Sequence, residues 1–349
     1  MVSPQLKPLL RALNSETVSP TPWWLMRQAG RYLPEYRKLR ARAADFVELC
    51  LTPSLAAELT LQPVHRYGMD AAIIFSDILL LPYALGQKLS FRDGLGPVLG
   101  AIEDVSGVGR LDGTRAVPRL EPVLEVVRRV SAELGSQTAL IGFAGAPWTV
   151  ATYMVEGGTS RDFHRVKAWA YDDPQGFEAL IDVLTETTIE FLSAQISAGT
   201  AVVQLFDSWA GVLPEPAFAR WVIAPTKRIV TALKSAHPDC PVIGFPRGAG
   251  LLYEHYVTET GVDAVGLDTA VPARFACTRL RPLATVQGNL DPVLLLTGGA
   301  ALENAVIDMR RAFVGGPWVF NLGHGVLPET PVENVAALAR LLAEPIDAG

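Results

Sequence analysis

Lysine, cysteine and unbroken apolar runs are what this sequence has least of. Of 30 basic residues only six are lysine, and 36 Asp and Glu leave a net charge of −6. A chain that is acidic overall lacks the basic footprint of a duplex-binding protein, so no nucleic-acid partner is expected and an anionic ligand has to meet a local patch of cations. Cysteine occurs three times, as Cys50, Cys240 and Cys277, with no CxxC or HxC pair. That excludes a disulfide framework and favours a reducing, cytoplasmic setting. The first residues, MVSPQLKPLLRALN, carry neither an apolar h-region nor a small-residue cleavage site, so no secretory leader is expected. The richest apolar stretch, 70–86, is broken by Ser76 and Asp77 and falls short of the roughly 20 apolar residues of a membrane span. GxxxxGK, HExxH and GxSxG are absent, which removes the commonest nucleotide, zinc-protease and serine-hydrolase readings. Two glycine runs, GLGPVLG and GVGRLDG, have three residues rather than two before the final glycine and follow no apolar strand. They read as Gly-rich hairpin or loop, not as dinucleotide loops.

What is present is a 49% hydrophobic, 19% charged chain, enough to build a large core. Eight apolar, β-branched runs recur with helix-length segments between them: Trp23–Met26, Ala71–Phe75, Ala139–Phe143, Ala201–Phe206, Val242–Phe245, Ala264–Leu267, Ala284–Gln287 and Trp318–Asn321. Amphipathic stretches fall at 54–67, 121–134, 177–198, 215–237 and 331–342. Repeated βα units of this kind predict an α/β protein, a closed (β/α)8 barrel spanning 1–349 as one domain. An irregular excursion is expected at 87–119.

Functional groups of such a barrel come from the C-terminal ends of the strands and the loops after them. Those positions hold Arg27, Gln28 and Arg31, then Ser76 and Asp77, Trp148 and Tyr153, Asp207 and Ser208, Arg247, Asn289 and Asp291, and finally His324 between Gly323 and Gly325. Arg27 and Arg31 lie four apart. If a helix starts there, both guanidiniums leave one face and can clamp carboxylates; the alternative is a solvated basic helix. Gly30 lets a ligand come close. Asp77 ends an apolar strand, where a carboxylate is costly to desolvate unless a cation or several donors meet it, so it reads either as a site residue or as a cap of the following segment.

The segments PWWLMRQAGRYLPEYR, IIFSDILLLPYALG, LIGFAGAPWTVATYMVEGG, QLFDSWAG, VQGNLDP and NLGHGVLPETP, in this order from near residue 20 to the C-terminal helix, resemble uroporphyrinogen decarboxylases. The resemblance implies a homodimeric cytoplasmic barrel that needs no cofactor or metal. It also implies loss of CO2 from the four acetate side chains of uroporphyrinogen III, giving coproporphyrinogen III in haem biosynthesis. By the same resemblance Arg27 and Arg31 act on the substrate carboxylates, with Gln28, Ala29 and Gly30 in the same binding loop. Asp77 would meet the pyrrole N–H groups and stabilise the transition state, and Tyr153, Ser208 and His324 would line the pocket. Two other readings use the same scaffold: a corrinoid-dependent methyltransferase, which requires a His/Cys/Cys zinc site, and a non-catalytic tetrapyrrole carrier, which has no use for Asp77.

Overall fold

The computed structural model describes residues 7–92 and 94–344. Seven of the apolar runs form one parallel sheet in barrel order: β1 (Ala71–Ile73), β4 (Ala139–Gly145), β5 (Val202–Asp207), β6 (Val242–Pro246), β7 (Ala264–Gly266), β8 (Thr285–Gln287) and β9 (Trp318–Val319). The register runs through Ala71 opposite Ala139, Ile141 opposite Val202, Val203 opposite Val242, Ile243 opposite Ala264, Ala264 opposite Thr285 and Val286 opposite Trp318. β4 is buried along its whole length, as expected of a strand with side chains inside the barrel on one face and under helices on the other.

The eighth run, Trp23–Met26, is not a strand, and this corrects the expected count. It makes a single parallel bridge, Trp23 to Phe320. The cause lies in its neighbours. Pro20 and Pro22 bring no N–H, and the N–H of Trp23 is taken by the Asp70 side chain at 3.0 Å. The segment still acts as the closing stave. Asp70 N–H donates to Trp23 O at 3.0 Å on one side, and Phe320 N–H donates to Pro22 O at 2.9 Å on the other. Inside the barrel the buried Trp24 indole donates to Gln287 Oε1 at 2.9 Å, and Gln287 Nε2 donates to Gln204 Oε1 at 3.1 Å, tying the stave to β8 and β5 through the core.

The expected helices appear with small boundary changes: Pro53–Tyr67, Glu121–Glu133, Pro174–Ala198 and Val332–Ala343. The 215–237 stretch is one helical rod in three parts, Glu215–Phe218, a wide turn at Ala219–Ile223, and Ala224–Ala236. The excursion after β1 contains an antiparallel hairpin, β2 (Leu89–Arg92) and β3 (Gly96–Leu99). Its base is docked on the helix Pro147–Glu156: Leu99 N–H donates to Gly157 O at 3.0 Å and Ile102 N–H to Met154 O at 2.9 Å. Gly158 belongs there because a Cβ would stand 2.7 Å from Pro97 O. The hairpin is thereby held where its outer end overhangs the C-terminal mouth of the barrel.

Candidate active site

The loop after the first stave does not become a helix at Arg27. The chain turns, with Gln28 N–H donating to Leu25 O at 3.0 Å, and the helix starts only at Pro34. The expected helical face shared by Arg27 and Arg31 is therefore absent, yet the turn brings both to the same place. Arg27 sits at φ +60°, in the left-handed region that non-glycine residues seldom adopt. Gln28, fully buried, braces the turn: its Oε1 accepts from Leu25 N–H at 3.2 Å and its Nε2 donates to Ala71 O at 3.1 Å. Arg37 donates to Arg31 O at 2.7 Å, closing the loop from the other side.

The loop carrying His324 runs alongside. Val326 N–H donates to Met26 O and Gly323 N–H to Leu290 O, at 2.9 and 2.8 Å. Gly325 is required by the approach of Arg27, whose Cδ would lie 2.3 Å from an added Cβ.

These loops surround a cleft of about 770 Å³ at the strand ends. Arg27, Gln28, Ala29, Gly30, Arg31, Asp77, Tyr153, Ser208 and His324 all line it, so the residues that the resemblance points to meet in one place, whereas the strand-end residues Asp207 and Arg247 do not line it. The cleft wall adds Phe143, Phe206 and Phe245 from β4, β5 and β6. The first two pack edge to face at 5.5 Å and the second two at 6.0 Å. An apolar wall, a cationic rim and one carboxylate thus face a single cleft.

Two cations escaped the sequence reading, Arg40 and Arg92. Arg40 ends the helix Pro34–Arg40, and Arg92 stands on β2. Arg92 is brought there by long-range packing, in which its neighbour Phe91 meets Phe46 at 4.7 Å and Phe46 meets Phe75 at 5.9 Å. Asp77 is the one carboxylate on the described lining. Of the other strand-end residues, Trp148 donates its indole N–H to Trp209 O, Asn289 holds Asp268 O and Val271 O, and Asp291 caps the helix Pro292–Thr297. None of these three lines the cleft.

The two oxygens of Asp77 are placed differently. Oδ1 accepts from Leu79 N–H at 2.8 Å, the capping role. Among the described residues Oδ2 accepts no hydrogen bond, leaving it available to a ligand donor. Burial pushes its carboxyl up to about 6, against the Leu79 N–H and the Arg27 guanidinium, which pull it down. At neutral pH the group is an anion, ready to accept N–H donors or to face a cation.

His324 moves the other way. Burial, then the charges of Arg27 and Arg247, push it down to about 4, so its ring is neutral across the physiological range. An imidazole poised that low is a neutral hydrogen-bonding group, not a store of protons. His324→Asn is therefore expected to leave the acid limb of kcat/KM in place while raising KM; loss of that limb in the pH profile would assign the limb to His324 instead.

Among the described residues no group of three or more His, Cys, Asp and Glu is placed to hold a metal ion, and none of the three cysteines lines the cleft. Among the described residues no helix is long and apolar enough to cross a membrane.

A parallel α/β barrel whose strand ends carry an arginine-rimmed cleft with one sunken carboxylate defines a barrel enzyme of the kind that acts on polyanions. Residues 4–344 match the family described as uroporphyrinogen decarboxylase (URO-D). The chain is 55% identical to the uroporphyrinogen decarboxylase of Rhodospirillum rubrum over 339 residues, covering 97% of each. It is 52% identical to that of Granulibacter bethesdensis, covering 96% of this chain and 98% of the other. The chain belongs to the uroporphyrinogen decarboxylase family. Among solved structures, a methyltransferase from Methanosarcina mazei superposes with a TM-score of 0.79 at 21% identity, covering 97% of this chain and 98% of that one. At that identity the likeness concerns the fold.

Proposed function

We infer that this chain decarboxylates uroporphyrinogen, converting the four acetate side chains of the III isomer to methyl groups and releasing coproporphyrinogen III for haem biosynthesis. Its expected setting is the cytoplasm and its expected assembly a homodimer. The observation that carries the reading is the juxtaposition of Asp77, at the floor of the cleft, with Arg27 and Arg31 on its rim. The substrate has an inner ring of pyrrole N–H donors and an outer ring of carboxylates, and the cleft offers the complement of each.

A pyrrole acetate does not lose CO2 directly, because the carbanion left behind has nowhere to place its electrons; most decarboxylases recruit a cofactor as sink. The macrocycle can serve instead. Protonation of the pyrrole α-carbon next to the acetate makes an iminium-like cation. The C–CO2 bond then breaks, its electron pair flows into that cation, and an exocyclic methylene is left. A second proton makes the methyl group as the α-carbon proton departs. One proton is consumed for each CO2 released.

Asp77 holds the N–H groups and faces the cation as it develops, a preorganised charge in a site shielded from water. The arginines bind the peripheral carboxylates, each charge-assisted bond contributing roughly 1.5–3 kcal/mol. A guanidinium with a pKa above about 12 rarely gives up its proton, so binding and orientation are the roles assigned to Arg27 and Arg31.

The direct test is anaerobic incubation with uroporphyrinogen under reducing conditions, followed by separation of products by carboxylate number. Stepwise appearance of species with seven, six, five and four carboxylates is expected. Tight binding without any loss of CO2 would leave the carrier reading standing.

A further inference from the structure

Directly behind Ser208 lies a titratable group that the reaction scheme leaves unused. Asp207 is the last residue of β5, is 1% exposed and does not line the cleft. Its Oδ1 accepts the hydroxyl proton of Thr149. The same Thr149 Oγ1 accepts from Trp209 N–H at 3.0 Å, so one hydroxyl fastens both ends of the Asp207–Ser208–Trp209 turn. Thr149 stands in the first turn of the helix Pro147–Glu156, the helix that carries Tyr153. The Trp209 ring packs against Tyr153 at 6.0 Å and Phe163 at 5.2 Å. The carbonyl of Asp207 accepts from Arg247 N–H at 3.1 Å, which fixes the loop after β6 to the same point. Among the described residues Oδ2 is buried with no partner.

We propose that Asp207 is a positioning residue: as an uncharged acid locked to Thr149, it sets Ser208 and Tyr153 to meet the same substrate carboxylates. The proposal rests on the decarboxylase reading and assigns Asp207 no contact with substrate.

Below about pH 7 the neutral form is the one the surroundings favour. An ionised carboxylate with one oxygen buried and unpartnered is far costlier than a buried acid. Burial pushes Asp207 up to about 7, with the Thr149 hydroxyl and N–H pulling it back. The groups facing it are Thr149 and, at longer range, the phenol of Tyr256, whose own proton the Asp207 charge would hold more tightly. No described cation faces the carboxyl. An anion formed here stands behind a surface that receives substrate carboxylates and opposes their binding.

Four variants test this, read by steady-state kinetics and by fluorescence titration with uroporphyrin, the oxidised ligand that cannot react. Asp207→Asn keeps an acceptor for Thr149 and cannot ionise. It should hold kcat/KM within about threefold of the parent at pH 6.5 and abolish the parent's decline above pH 7. Asp207→Ala and Thr149→Val should each raise KM and the uroporphyrin Kd about tenfold with little change in kcat, and Thr149→Ser should restore both. Loss of kcat/KM in Asp207→Asn as large as in Asp207→Ala, or parental KM in Asp207→Ala, would overturn the proposal.

A melting series guards against simple misfolding. The folded pKa of Asp207 is raised, so this group costs the parent stability as pH rises from about 4 through about 7, a contribution that Asp207→Asn lacks. The gap in Tm in favour of Asp207→Asn should therefore widen between pH 5 and pH 8; a constant gap would also count against it. Absence of decarboxylation in the parent chain would sink the functional reading itself, and the uroporphyrin titrations would still report on Asp207.

Discussion

Asp77→Asn is expected to bind uroporphyrinogen with nearly parental KM and to turn it over a hundredfold to a thousandfold more slowly. The amide keeps the shape and the cap, since its Oδ1 can still accept from Leu79 N–H at the 2.8 Å contact. What it loses is the charge facing the developing cation, a preorganised interaction worth on the order of 3–4 kcal/mol in the transition state. Because that interaction strengthens only as the cation forms, kcat carries the loss and KM does not.

The pH profile adds a second signature. With its carboxyl pushed up to about 6, the free enzyme loses the anion as pH falls through that value, so kcat/KM should have an acid limb there. Pyrrole N–H donors favour the ionised form, which shifts the limb of kcat lower. Both limbs should vanish in Asp77→Asn.

Stability should move in the opposite direction to activity. Between about 4 and about 6 the folded chain holds the Asp77 proton more tightly than the unfolded chain does, so the parent is progressively destabilised as pH rises across that window. Asp77→Asn removes the buried charge and should melt higher at pH 8, by up to a few kcal/mol of stability. A variant both inactive and less stable would point to a broken cap rather than to a missing charge.

The barrel was legible because β4, β5 and β6 are apolar, β-branched runs at βα spacing, and because their ends carry the few polar residues that such strands tolerate. The first stave was over-read. Its Trp pair and leucine look like a strand, but hydrogen-bonding capacity decides strandedness, and Pro20, Pro22 and the Asp70 carboxylate leave it one bridge. Arg27 and Arg31 were paired for a geometric reason that does not hold: a tight turn with a left-handed residue, not a helical face, brings both to the cleft lining.

Arg40 and Arg92 were missed because they arrive from a helix end and a hairpin, outside the strand-end rule. A signal for the hairpin was present. LSFR and GPVL flank an Asp-Gly pair, a combination that favours a tight reversal. The low setting of His324 was not readable, since it depends on burial together with the charges of two arginines distant in sequence.

Gly325→Ala should cost about tenfold to a hundredfold in kcat/KM although glycine has no side chain to offer a substrate. Gly325 is buried, and the Arg27 stem crosses it so closely that an alanine Cβ would stand 2.3 Å from Cδ, 2.6 Å from Cγ and 3.0 Å from Cβ. These are the inner atoms of the side chain, so a rotation at its tip brings no relief. The backbone of Arg27 is also poorly placed to yield. It already occupies φ +60°, at a cost of roughly 1–2 kcal/mol, inside a turn braced by Gln28. The guanidinium is the part left free to move, and it leaves the position from which it grips a substrate carboxylate. Losing one such charge-assisted contact amounts to roughly 1.5–3 kcal/mol, which sets the expected range.

The decisive measurement is a double-mutant cycle with Arg27→Ala. If the alanine acts only by displacing Arg27, the pair Gly325→Ala/Arg27→Ala is no worse than Arg27→Ala alone, because the truncated side chain has already given up the contact and lacks the Cγ and Cδ that stand nearest the new methyl. Strict additivity of the two losses would mean that Gly325 serves His324 or the loop itself, and the crossing of the two chains would then be a packing detail without catalytic weight.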